Sequence, residues 1–312
     1  MRRGIHLPVT GGGARVTRWF RIVALVGLAI MVLAACGGGS RETGTPANST
    51  PKVIEGRFDV GDYKLYMRCE GSGSPTVIYL HRFADEPPGP WFHVGDELPS
   101  MLRDEHRICV YHRADVGRSD EVPGLRTGES SVRDLHRLLE AAGIEPPYVL
   151  LAPSFGGLIA YAYAATYPDE VVGMVLIDAA FPGEWKLEHL WPKEERLEND
   201  DWSVYEEKID QPAVYKYALY AVKQPDIPVT FLLATPTSEV WEGPPAWEEA
   251  VVDKRAEYVE GFSPGVFKKV RRPIPDYTNM EQAAPEPIAR EVEMLIASIS
   301  EQGAAGDGKV SK

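Results

Sequence analysis

Residues 149–178 read VLLAPSFGGLIAYAYAATYPDEVVGMVLID. The continuous apolar run Tyr148–Leu151 reads as a strand buried on both faces. Ala152-Pro153-Ser154-Phe155-Gly156-Gly157 follows as a tight turn. Gly157–Tyr167 reads as a helix of small residues ended by Pro168, and Val171–Ile177 as a second buried strand. A strand that passes into a helix so abruptly forces the middle residue into a strained backbone. Small residues two before and two after it relieve the clash, as in the pattern Gly-x-Ser-x-Gly. Ala152 takes the place of the first glycine and is still small. Such a turn lifts the Ser154 hydroxyl above the sheet, at the positive end of the next helix. The plainer alternative is a serine that only caps a helix.

Outward from this turn, strands and helices alternate, which predicts an α/β class with a mostly parallel sheet. Upstream, Phe58–Cys69 carries a Gly-Asp turn between two β-rich runs and reads as a hairpin. Thr76–Leu80 and Arg107–Tyr111 read as further strands. Between them lie a Pro-rich loop, Ala84–Pro90, and a predicted helix over Trp91–Arg103. Val132, Leu135, Leu138 and Leu139 stand at helical spacing within Ser130–Ala142, and Gly143 stops that helix. Downstream, Val229–Ala234 reads as a strand, and Pro287–Ile299 as a helix with Ile288, Val292, Leu295 and Ile296 on one face. The acidic, aromatic stretch 181–225 breaks the rhythm. It reads either as a helical insertion over the carboxyl edge of the sheet or as a bland connector.

The chain has 312 residues, 44% hydrophobic and 25% charged, with a net charge of -13. That length suits one large α/β domain or two small ones. Residues 1–35 hold five arginines and no acid, so the remaining 277 residues carry -18. Such a body repels a phosphate backbone, and nucleic acid is excluded as an expected partner. The run Lys268–Arg272 reads as solvated surface.

The amino-terminal region predicts export. Arg15, Arg18 and Arg21 precede an uncharged apolar stretch, Ile22–Ala35, too short to span a bilayer comfortably. Leu33-Ala34-Ala35-Cys36 resembles the bacterial lipobox, which implies a signal peptide over 1–35 and lipidation of Cys36 with palmitate-type chains. Residues 36–52 then read as a flexible Gly/Ser/Thr/Pro-rich tether. The expected location is the extracytoplasmic face of a bacterial membrane, with the lipid bilayer as a partner through Cys36. Beyond Cys36 only Cys69 and Cys109 remain, an even pair and a disulfide candidate in an oxidising compartment.

Over roughly residues 53–302 the chain resembles the α/β-hydrolase family, serine esterase and lipase branch. Besides the Ser154 turn, the resemblance rests on PTVIYLHRF, RICVYHRADVGRSD, DEVVGMVLIDAAFP, and IPVTFLLA with the later APEPIAREVEMLI. It implies an eight-stranded, mostly parallel sheet in order 1-2-4-3-5-6-7-8 with a cap insertion over 181–225, leaving 303–312 as a frayed tail. That order places Cys69 and Cys109 on neighbouring strands and so predicts the disulfide Cys69–Cys109.

The resemblance also implies an ester-like small-molecule substrate, with Ser154 as nucleophile and the N–H groups of Phe83 and Phe155 as oxyanion hole. The base is missing. The family's histidine usually lies seven residues before a proline; counting back from Pro285 gives Thr278, and no histidine follows His189. Threonine cannot accept the proton at neutral pH, and loss of a triad histidine typically removes about 10⁶ of the rate. For the acid, Asp178 after one strand is preferred over Glu239 after another, while a turn-capping role for Asp178 stays open. Arg82 stands where the family usually has Gly, His112 where it has Asp, Pro153 where His is common, and Phe181 where some relatives have His. His81, His112 and His189 are alternative bases by position; His93, His106 and His136 read as surface or helix residues. No metal-ligand spacing or phosphate loop occurs, so no cofactor and no metal is expected. Two functions remain: a serine hydrolase with an incomplete triad, or a catalytically inactive hydrolase fold that binds a ligand or partner.

Overall fold

The computed structural model of the chain describes residues 53–84, 97–235, 244–271 and 280–307. The export segment, the tether, Cys36, Glu239, Thr278 and the last five residues, 308–312, lie outside the described residues.

Eight strands form one sheet: β1 (Ile54–Asp59), β2 (Lys64–Glu70), β3 (Thr76–Tyr79), β4 (Ile108–Tyr111), β5 (Tyr148–Pro153), β6 (Val171–Ile177), β7 (Val229–Thr235) and β8 (Gly265–Arg271). Their order is β1-β2-β4-β3-β5-β6-β7-β8, as the resemblance implies. β1 and β2 pair antiparallel, β2 runs antiparallel to β4, and β3 to β8 run parallel.

Alternation along the central strands explains why their sequences are apolar throughout. On β5, Leu150 and Ala152 join one core with Leu135, Leu138 and Leu139 of α2 (Gly128–Ala142) and Leu158 of α3 (Gly156–Thr166). Val149 and Leu151 join the opposite core with Leu98 and Leu102 of α1 (Glu97–Leu102) and Ile288, Val292 and Leu295 of α7 (Pro285–Asp307). A strand covered on both faces has no polar face to show in its sequence.

The helix read over Ser130–Ala142 begins two residues earlier. Thr127 and Ser130 form a reciprocal capping box, and Gly143 closes the helix at φ 66. Cys69 and Cys109 stand directly opposite in the β2–β4 ladder and form a disulfide. Their Cα atoms are 4.0 Å apart, just under the usual span of about 4.4–6.8 Å.

Several expectations need correction. The charged run is solvated but is also a strand: Lys268–Arg271 belongs to β8 at the sheet edge, Lys269 and Arg271 are exposed, and Lys268 Nζ pairs with Glu291 on α7 at 2.6 Å. An edge strand keeps its charges on the open side, so its pattern imitates a surface run. The helix α5 (Pro245–Glu260) has no counterpart in the sequence reading. The helix predicted over Trp91–Arg103 is described only as Glu97–Leu102. α7 continues to Asp307, past the expected fraying point at Gly303. Within 181–225, short 3₁₀ turns (Pro182–Leu190, Lys193–Glu195, Leu197–Asn199, Trp202–Val204) precede α4 (Gln211–Lys216) and a π turn, Tyr217–Ala221.

Candidate active site

Ser154 follows the last residue of β5 and precedes α3. Its φ is 48, a left-handed conformation that costs a non-glycine residue about 1–3 kcal/mol and persists only where neighbours enforce it. They do so here. Ser154 N donates to Ile177 O at 3.0 Å, and Ser154 O accepts from Ala180 N at 2.9 Å and Gly157 N at 3.0 Å. A Cβ on Gly156 would lie 2.1 Å from Leu80 O, and one on Gly157 2.6 Å from Ala179 Cβ. Only glycine fits at either place, so the turn presses against both neighbouring strand ends. Ser154 itself is half-buried, and among the described residues no group hydrogen-bonds its hydroxyl.

Phe83 and Phe155 flank the elbow. Their rings meet edge to face at 6.0 Å between centroids. Among the described residues neither backbone N–H has a hydrogen-bond acceptor. Two such N–H groups beside an elbow serine suit the oxygen that turns negative in acyl transfer. Trp202 and Tyr205, from the segment between β6 and β7, lie edge-on to Phe83 at 5.8 and 5.4 Å. That segment therefore packs on the loop at the carboxyl end of β3.

Asp178 stands beside Ser154, one residue past Ile177, which is in register with Pro153. Its φ is 44. Its Oδ1 accepts from Ala234 N at 2.7 Å, and its own N–H donates to Leu232 O at 2.9 Å. The carboxylate thus fastens β6 to the end of β7.

The sheet-edge histidines are built into structure. His81 is fully buried; its Nδ1 donates to Arg82 O at 2.7 Å and its Nε2 accepts from Arg113 N at 3.3 Å. Burial, then the nearby Arg113 cation, holds its pKa well below the ordinary value, so the ring stays neutral. His112 is buried with Nδ1 accepting from Arg118 N at 3.0 Å and its ring 4.8 Å from that of Tyr66. His189 is exposed and bonds Lys186 O at 2.8 Å. His136 stacks on Tyr167 at 4.0 Å.

Charges hold the loop after β3 from two sides. Arg82 pairs with Glu281 of α6 (Met280–Ala283) at 3.0 Å. Arg113 and Glu207, both buried, form an ion pair beneath residues 81–84. Sequence reasoning missed this pair. Arg113 lies in a quoted motif, but Glu207 is one acid among many in an acidic segment, 94 positions away. Among the described residues no group of three or more His, Cys, Asp or Glu is placed to hold a metal ion.

An eight-stranded sheet in this order, with a strained serine at the β5–α3 turn, decides the fold. The chain has the α/β-hydrolase fold. Residues 75–208 match the family model described as alpha/beta hydrolase fold. A serine hydrolase involved in carbazole degradation superposes with a TM-score of 0.54 at 13% identity, covering 79% of this chain and 99% of that one. The uncharacterized protein YqjL of Bacillus subtilis is 38% identical over 111 residues, 36% of this chain and 42% of that protein. A monoacylglycerol lipase of Xenopus laevis, abhd6-B, is 28% identical over 120 residues, 38% of this chain and 34% of the lipase. The matched stretches thus span less than half the length of these curated relatives.

Proposed function

We propose that this α/β-hydrolase-fold protein is a lipid-anchored, extracytoplasmic serine hydrolase of small carboxylic esters whose triad lacks its imidazole. The observation that carries the reading is the strained Ser154 elbow beside the N–H groups of Phe83 and Phe155, which have no acceptor among the described residues. Ser154 Oγ attacks the ester carbonyl and loses its proton to solvent; the oxyanion held by the two N–H groups collapses with cleavage of the ester C–O bond, the alkoxide leaves as alcohol with a solvent proton, and water then hydrolyses the acyl-serine to carboxylic acid and free Ser154. Oxyanion and binding effects alone retain about 10³–10⁴ over water, so the reaction is slow. Asp178 stands at the acid position, its carboxylate engaged with β7. Thr278 occupies the base position by count, and no histidine follows His189. The monoacylglycerol lipase among the relatives supports an ester substrate.

The test is turnover of p-nitrophenyl acetate by the purified protein against Ser154→Ala. Low turnover that falls at least tenfold in the variant supports the reading; identical rates overturn it. Lipidation is tested by labelled palmitate incorporation, which Cys36→Ser should abolish.

A second reading, an inactive ligand-binding member of the fold, is favoured by one observation. His81 and His112, the histidines nearest the sheet edge in sequence, are both buried in structural hydrogen bonds.

A further inference from the structure

The loop that carries the Phe83 N–H is fastened at every residue but Phe83 itself. Arg113 Nη1 donates to His81 O at 2.7 Å, and Arg113 Nη2 to Arg82 O at 2.7 Å. Ala84 N donates to Glu207 Oε2 at 3.0 Å, and Ala84 O accepts from Glu207 N at 3.2 Å. The two fasteners hold each other: Arg113 Nε and Nη2 bind both oxygens of Glu207, the latter at 2.8 Å. Side-chain exposure is 5% for Arg113 and 1% for Glu207.

A buried ion pair is a poor way to gain stability, because desolvation offsets the attraction and apolar residues of similar volume often serve as well. An apolar pair, however, could not bind two carbonyls and an amide of one loop. Arg113 and Glu207 lie far apart in sequence and converge on three residues, His81, Arg82 and Ala84, on either side of Phe83. From this convergence we infer that Arg113 and Glu207 are positioning residues, which aim the Phe83 N–H at the Ser154 elbow and couple that aim to the segment between β6 and β7. The inference rests on the hydrolase reading above and deepens it. Trp202 and Tyr205 act in the same direction, since they reach Phe83 from the stretch just before Glu207.

The full chain is compared with Glu207→Gln, Glu207→Asp and the double variant Arg113→Met/Glu207→Leu. Each is read by kcat and KM for p-nitrophenyl acetate and by thermal midpoint. A positioning role predicts a double variant that melts near the wild type, with kcat down at least tenfold and KM within about twofold. Recovery of kcat together with the melting point marks the pair as merely structural and overturns the inference. If the wild type turns over no faster than Ser154→Ala, the hydrolase reading has failed, and amide exchange decides the inference. Faster exchange in Glu207→Asp confined to residues 80–84 supports it; unchanged exchange there, or faster exchange throughout the sheet, overturns it.

Discussion

At the residue scale, the Ser154 turn has no tolerance. Gly156→Ala would drive a methyl group to 2.1 Å from the Leu80 carbonyl, a backbone atom that cannot swing aside. We expect a cost of about 3 kcal/mol or more in urea unfolding and loss of any Ser154 reactivity. An unfolding midpoint equal to that of the wild type would show that the elbow is not packed in this way. His81 gives a pH dependence of definite sign. Its folded pKa lies below its unfolded value, so its contribution is complete above about pH 6.5 and fades as pH falls through that value. Stability should drop below pH 6.5 by up to about 1.4 kcal/mol per pH unit. His81→Gln should flatten that slope; an unaltered slope would assign the acid lability elsewhere. Ser154 was legible in the sequence because Ala152, Gly156 and Gly157 announce the turn around it. The Arg113–Glu207 clasp was not, because an ion pair across 94 positions leaves no local pattern.

At the scale of elements, legibility followed burial. Strands covered on both faces, such as β5 and β6, stand out as unbroken apolar runs. β8 has only exposed and half-buried positions at the sheet edge, and its lysines and arginine hid it. α5 escaped for a related reason: only Trp247, Val251, Arg255 and Val259 of its 16 residues are buried, and one of them is an arginine. That arginine pairs with the buried Glu184 at 2.8 Å, so the face of α5 turned to the protein is itself partly polar. The segment 181–225 showed its aromatic content but not its form, since short 3₁₀ turns carry no extended periodicity. The β2–β4 pair allows a direct measurement. The disulfide closes a loop with a sequence separation of 40, for which chain entropy gives about 4 kcal/mol. Cys69→Ala/Cys109→Ala should lower urea stability by roughly that amount and abolish the response to reductant. Equal stability of variant and wild type would mean that the ladder alone holds these strands.

At the scale of the whole molecule, two features set the functional question. The net charge of -18 beyond residue 35 repels polyanions such as nucleic acid, and the location outside a membrane proposed above rests on the amino-terminal sequence alone. The last histidine of the chain is His189, so nothing from β7 onward can supply an imidazole to the elbow. A serine activated by imidazole gains reactivity through a pKa near 6.5 and then levels off, whereas an unassisted hydroxyl gains tenfold per pH unit with hydroxide. The most direct test is the rate of fluorophosphonate labelling between pH 6 and 9, with Ser154→Ala as control. Slow labelling, absent from the variant, whose logarithm rises linearly with pH at a slope near one, is the predicted result. A curve that bends to a plateau near pH 7, or labelling that persists without Ser154, would contradict the account.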